Sequence, residues 1–395
     1  MLAHILTFSP EQGDSFFEQI PASAAVFLLR GEGEPYVSKT ANLRRRLQRL
    51  LGPAPEHSKK LNLRDRVRQI QFTQTGSDFE SQLLLYQLLQ ETFPKNYATR
   101  LRLRPTPLVK LHLENAFPRA SVTTRLGKLP IRDENAALAN VSSRNLYYGP
   151  FPSRTAAEKF AGEVLDFFKM RRCVEDLHPD PSFPGCVYSE MKMCLAPCFN
   201  GCSDDEYQAE VLRVQKFFDS RGESLTRELA EERDRASAEL KFEDAATWHT
   251  KVEKLKTVIG PLPEIVRRID QLQAIIIQPS AEMNSVALFR FLRATLHGPM
   301  QFTIEETGEP QSMESRLHAA LAGFPALANN SVRDANEQLA LLSRWYYRSN
   351  RVGEIFFMDG NGAWPMRRMV RAIGRVYRGE KAQEPPFLAT TQSPI

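Results

Sequence analysis

All five cysteines of the chain fall between residues 173 and 202. Four follow the spacing Cys173-x12-Cys186-x7-Cys194-x3-Cys198. Four thiolates so close in sequence suit a tetrahedral zinc ion or a cubane iron–sulfur cluster, since both need four soft ligands. The plainer reading is a group of buried free thiols. Cys202 stands outside the set as an extra thiol. A second set lies nearer the N-terminus, where Tyr36, Lys39, Arg46 and Glu80 offer a phenol, an ammonium, a guanidinium and a carboxylate. Phosphodiester hydrolysis uses such groups. The carboxylate holds a divalent ion (Mg or Mn), the cations stabilise the phosphorane, and the phenol positions or deprotonates water.

Charge supports a phosphate-bearing partner. The net charge is only +5, but residues 39 to 68 carry ten Lys or Arg against Glu56 and Asp65. That patch includes Arg44, Arg45 and Arg49 and would attract a DNA backbone with release of counterions. Arg100, Arg102 and Arg104 alternate along RLRLRP, and in a strand they would share one face. A solvated basic surface is the bland alternative for both patches.

These residues need elements to hold them. AAVFLLR (24–30) and PYVSK (35–39) around GEGE predict a hairpin, and Asn42 predicts the N-cap of a basic helix. Residues 77–92 are periodic and end before Pro94, which predicts a second helix. LVKLHL (108–113) and ASVTTR (120–125) read as strands, YYGPF (147–151) as an aromatic turn, and TAAEKFAGEVLDFFKM as a helix leading into the cysteines. Residues 204–258 are charged and nearly free of Gly and Pro, so they read as helices. LQAIIIQP reads as a strand, and Asp359 in DGNG as a loop residue. The hydrophobic content of 42% supports ordinary cores in several domains. The first residues show no signal-peptide pattern and no run spans a bilayer, so a cytoplasmic location without a membrane partner is expected.

IPASAAVFLLRGEGEPYVSKTANLRRRLQ resembles the opening of the GIY-YIG nuclease domain of the UvrC family, through Tyr36, Lys39, Asn42, Leu43 and Arg46. Glu80 falls where that family has its metal-binding Glu, and Pro94 where its P-x-Y-N segment begins. AFPRASVTTR and YYGPFPS are similar to further UvrC segments, and CVYSEMKMCLAPC to the family's cysteine cluster, which is associated with a four-iron–four-sulfur centre. KFEDAA looks like the UVR motif, through which UvrB and UvrC dock homologous hairpins. The motif would make Phe242 the docking anchor, with Glu243, Ala245 and Ala246 beside it. Periodicity alone reads the same stretch as an ordinary core helix.

The resemblance implies an α/β multidomain chain. It would comprise a GIY-YIG domain at 15–100 (a small antiparallel sheet flanked by helices), a linker region at 101–165 and a Cys-rich metal-binding region at 166–205. A UVR helical hairpin would follow at 206–259. Beyond the resemblance, the strand-like LQAIIIQP and the polar end of the chain read as a small mixed α/β domain without assigned role at 260–380 and a disordered tail at 381–395. The form is closer to a shortened Cho-like nuclease than to full UvrC, since residues 260–395 are too short for the second nuclease and its helix-hairpin-helix motifs.

There are departures. Ala25 and Phe27 replace the Gly and Tyr of the first signature, and Ser38 replaces the Gly of the second. Phe27 can pack like Tyr but cannot donate a proton. Two functions follow: a metal-dependent endonuclease that nicks DNA near lesions with UvrB and UvrA, or a catalytically weakened paralogue acting as a DNA- and UvrB-binding adaptor. In the first, Tyr36, Lys39, Arg46 and Glu80 converge on one basic cleft. In the second, at least one points away.

Overall fold

The computed structural model describes residues 2–53, 61–127, 145–305, 311–325 and 331–380. Among these residues the fold is α/β, with three antiparallel sheets of four strands each. The proposed tail at 381–395 lies outside the described residues.

The first sheet comprises β1 (His4–Thr7), β2 (Ala25–Gly31), β3 (Tyr36–Thr40) and β4 (Val67–Gln74) in the order β1-β4-β2-β3. Its helices are α1 (Ser15–Glu18), α2 (Leu43–Leu51), α3 (Asp78–Thr92) and α4 (Tyr97–Leu101). The predicted hairpin is β2–β3, with Phe27 opposite Ser38 and Leu29 opposite Tyr36. Asn42 caps α2 by accepting a hydrogen bond from the Arg45 amide at 2.9 Å, and Ser77 caps α3 from Glu80 at 3.1 Å. Side chains alternate along a strand. Phe27, Leu29 and Tyr36 therefore meet the α2 leucines in one core, while Val26, Leu28 and Val37 meet α3 residues on the other face.

RLRLRP, whose arginines would share one face in a strand, does not form one. Arg100 lies in α4, Leu101 is buried, and Arg102 turns left-handed at φ +49° to end the helix. Tyr97 and Leu101, four residues apart on one helical face, both reach the core, and this outweighs the alternation.

The second sheet runs β6-β5-β7-β8. Its strands are β5 (Leu108–Leu111), β6 (Ala120–Thr123), β7 (Leu146–Gly149) and β8 (Arg267–Arg268). The stretch read as an aromatic turn is thus largely strand, because Leu146, Tyr147 and Tyr148 are all buried. The region expected as a linker carries three of this sheet's strands, β5, β6 and β7, and α5 (Arg154–Leu165). Next come α6 (Val187–Glu190), α7 (Asp204–Asp219), α8 (Glu223–Ala238) and α9 (Phe242–Ile259). Tyr207 on α7 is fully buried and donates to the Pro118 carbonyl at 2.7 Å; Tyr148 donates to Asp219 at 2.8 Å. Such satisfied buried hydroxyls fix the register between sheet and helices.

The third sheet runs β11-β10-β9-β12, from β9 (Gln273–Pro279), β10 (Ser285–Leu292), β11 (Thr295–Thr303) and β12 (Glu354–Phe357). Helices α10 (Met313–Ala322) and α12 (Met366–Tyr377) cover one face, forming a separate core with Ile275, Ile277 and Phe356. On the other face α11 (Val332–Tyr346) joins the core shared with α3 and the second sheet. Asp359 does sit in a loop, where it accepts hydrogen bonds from the Asn361 and Ala363 amides.

Candidate functional site

Tyr36 and Lys39 are three residues apart on β3, so they project to opposite faces of the sheet. On the α2 face the Arg46 guanidinium donates to the Tyr36 hydroxyl at 2.7 Å, and Phe27 packs behind, its ring 6.0 Å from that of Tyr36. The Arg46 Nε is buried and has no hydrogen-bond partner. On the α3 face Lys39 forms an ion pair with Asp78, the first residue of α3, and Arg348 from beyond α11 pairs with the other oxygen of that carboxylate. Burial lowers the Lys39 pKa, with nearby Arg344 and Arg348 adding to the effect, against the pull of Asp78. Burial pushes Asp78 up, yet its bonds to Lys39 and Arg348 outweigh this and leave it below its ordinary value. Two cations on the two oxygens of one carboxylate make a charged triad.

Glu80 does not join either group. It is only 5% exposed, and its carboxylate accepts the Gly76 amide at 2.8 Å, folding back over the start of its own helix. Gly76 in turn abuts the backbone of Pro279 and Ser280 at the end of β9, and a Cβ there would overlap both. Burial raises the Glu80 pKa, the Gly76 bond lowers it, and Glu282 raises it again. Neighbouring Phe79 locks this seam, its ring 5.1 Å from both Phe289 and Trp345. The four predicted catalytic residues are therefore divided. Tyr36 pairs with Arg46, Lys39 pairs with Asp78, and Glu80 is enclosed against the third sheet. A divalent ion at Glu80 would have to compete with the Gly76 amide for that oxygen.

The basic patch is also sorted by the fold. Arg44 donates to the Ile20 and Glu18 carbonyls, and Arg64 to those of Leu51, Pro10 and Gln12. Both hold loops rather than face a ligand. Arg45 and Arg49 are exposed on α2. Arg100 pairs with Glu34 and stacks 3.9 Å over Phe93. Arg102 and Arg104 line a cleft of about 470 Å³ together with Arg344 from α11. Sequence reasoning missed Asp78, Arg344 and Arg348. Asp78 was visible only as an acid in the first turn of α3; the two arginines come from about 270 residues away and gave no local signal.

Left-handed turns at Gly185, Lys192, Ala196 and Asn200 fold the cysteine segment back on itself. Burial lifts the Cys194 thiol to about 11, and Cys173, Cys198 and Cys186 are near enough to add to the effect. Arg171, almost fully buried, approaches the Cys173 sulfur at 3.4 Å and donates to the carbonyls of Phe117 and Glu175. Four adjacent soft donors suit a thiophilic metal in kind. Among the described residues, however, no three His, Cys, Asp or Glu side chains meet in a metal-holding arrangement.

Helices α8 and α9 form an antiparallel hairpin. Val252, Leu255 and Val258 are buried, whereas Leu240 and Phe242 at its tip are 72% and 66% exposed. Leu240 is left-handed at φ +60°, which closes the tip and turns both side chains outward. Glu243 and Ala246 are exposed and Ala245 half-buried.

No helix among the described residues is long and apolar enough to cross a membrane. Residues 115–217 match the family model for the middle domain of the UvrC/Cho excinuclease. The chain is similar to the UvrABC system protein C of Stenotrophomonas maltophilia strain K279a, at 25% identity over 369 residues, or 88% of this chain and 57% of that protein. It is 26% identical to the same-named proteins of Alkalilimnicola ehrlichii over 252 residues (63% and 39%) and Carboxydothermus hydrogenoformans over 300 (75% and 46%). The chain thus spans about half the length of the curated relatives it matches. No solved structure matches it. Through its middle region and these relatives, the chain is similar to UvrC-type excinuclease subunits.

Proposed function

We propose that this chain serves nucleotide excision repair as a UvrC-like subunit that holds DNA and docks on UvrB, its nuclease centre closed as folded. The seat of Glu80 carries this reading. The carboxylate that would present a divalent ion to the scissile phosphate instead accepts the amide of Gly76, which itself abuts Pro279 and Ser280. Phe27, which cannot take a proton, stands behind Tyr36 and reinforces the same conclusion. Arg45 and Arg49, exposed on α2, would contact phosphates without reading bases. Phe242 and Leu240 would bury their exposed surface against a homologous UvrB hairpin, as an anchor residue does at the centre of an interface.

Cys173, Cys186, Cys194 and Cys198 would hold zinc or a four-iron–four-sulfur cluster. That centre would staple the segment between α5 and α7. The two helix ends it ties lie in the main core with the second sheet, so its role there is structural.

A second reading, a single-strand endonuclease, draws on the Tyr36–Arg46 hydrogen bond and on the naming of the relatives. It requires Glu80 to leave its seat. Incision of a fluorescent, lesion-bearing duplex with UvrA, UvrB, ATP and Mg²⁺ or Mn²⁺ decides between the two. The adaptor reading predicts no nick from wild type. A nick that disappears in Glu80→Ala establishes the endonuclease instead.

A further inference from the structure

The cleft of about 470 Å³ between the second sheet and α11 is walled by three arginines, Arg102, Arg104 and Arg344, with Thr106, Phe151 and Tyr347 between them. Among the described residues no acidic residue lines it, and none of the three guanidinium groups has a hydrogen-bond or ion-pair partner. Elsewhere several arginines are engaged: Arg44, Arg64 and Arg221 reach backbone carbonyls, and Arg213, Arg268 and Arg375 reach carboxylates. Three unpaired cations converging on one concave surface repel one another, which an anionic occupant relieves. Tyr347 is held by its hydroxyl bond to the Pro150 carbonyl at 2.6 Å, so the wall is rigid. One turn before Arg348, Arg344 also stands close to Lys39, which continues the positive surface toward the first sheet.

We propose that this cleft grips the phosphodiester backbone of one nucleic-acid strand, with α11 of the otherwise unassigned third-sheet region supplying one of its three cationic contacts. The proposal rests on the reading of the chain as a DNA-holding protein and adds where the strand lies. The volume matches a nucleotide unit and is too small for the body of a duplex, so the strand entering it is unpaired. Its recognition is electrostatic and sequence-tolerant.

The test is fluorescence anisotropy of a labelled oligo-dT and a labelled duplex with the full chain across a salt series. Wild type is compared with the doubly substituted Arg104→Ala/Arg344→Ala and Arg45→Ala/Arg49→Ala chains. Each phosphate contact on a single strand contributes about 0.7 to the slope of log K against log salt, so losing two makes it shallower by about 1.4. Both cleft residues are exposed, and an unchanged melting curve would show that the fold persists. A shallower slope in Arg104→Ala/Arg344→Ala supports the cleft. An unchanged slope there, with binding weakened by Arg45→Ala/Arg49→Ala, overturns the cleft and leaves the DNA reading standing. Binding to duplex but not to oligo-dT likewise overturns the single-strand site alone. No binding to either overturns both.

Discussion

Replacing Glu80 separates a structural carboxylate from a catalytic one. In Glu80→Ala the Gly76 amide loses its acceptor in a seam closed by Pro279 and Ser280. A buried donor left unpaired costs about 1–3 kcal/mol. In units of this size that lowers the melting temperature by about 2–4 °C per kcal/mol. Glu80→Gln keeps an oxygen for the amide and removes the buried charge, so its cost is expected to be under about 0.5 kcal/mol. The pH dependence sharpens the comparison. Burial raises the folded pKa of Glu80 above its ordinary value. Stability from such a group is fully present below the unfolded value of about 4.3 and is lost as pH rises through the folded one. Glu80→Gln cannot titrate, so its melting temperature gains on wild type as pH is raised from about 4 upward. Melting curves of the three chains across pH 4 to 8 measure this. If Ala and Gln destabilise equally, or if Ala costs nothing, Glu80 is not the acceptor described here.

Four further outcomes are expected. Phe242→Ala should weaken association with UvrB by about 2 kcal/mol or more while leaving the melting temperature unchanged, since the ring is exposed in the free chain; calorimetric titration reads it. Substituting Ser for Cys173, Cys186, Cys194 or Cys198 should abolish metal content by elemental analysis, whereas Cys202→Ser should retain it, because Cys202 lies outside the four-thiol set. Burial, with Lys110, Arg119 and Arg171 nearby, holds His112 down at about 4 from 6.5. Its neutral form is favoured by folding, so stability is full above about 6.5 and falls as pH drops toward 4. The drop is about 3 kcal/mol at face value and about 1–2 after solvent screening; denaturant titrations of wild type and His112→Gln should diverge over that window. Asp78→Asn should tighten DNA binding, as it frees Lys39 and Arg348 from a shared carboxylate.

The parts of the fold legible in the sequence were those fixed by local chemistry. The β2–β3 hairpin and the cap at Asn42 follow from residues within a few positions of one another. RLRLRP is not a strand because the burial of Tyr97 and Leu101 on one helical face overrides its alternation. YYGPF was misread because three successive buried residues, in a strand covered on both faces, leave no alternation to see. The candidate site suffered most from sequence distance. Tyr36, Lys39, Arg46 and Glu80 were identified by type, but the alternation of β3 and the packing of Gly76 on β9 separate them. Helix α11 could not be assigned a role in advance. Its contacts are long-range: Tyr86 and Tyr97 donate to Glu337, and the Leu126 backbone pairs with Asn336.

The central claim is that this chain joins UvrB on DNA without cutting it. The direct measurement is a gel shift in which the chain is added, with Mg²⁺ and ATP, to UvrB already loaded by UvrA on a labelled lesion-bearing duplex, followed by denaturing analysis of the same bands. A supershifted complex containing an intact strand, and lost with Phe242→Ala, is the predicted result. Failure to supershift, or a nicked strand within the complex, would contradict it.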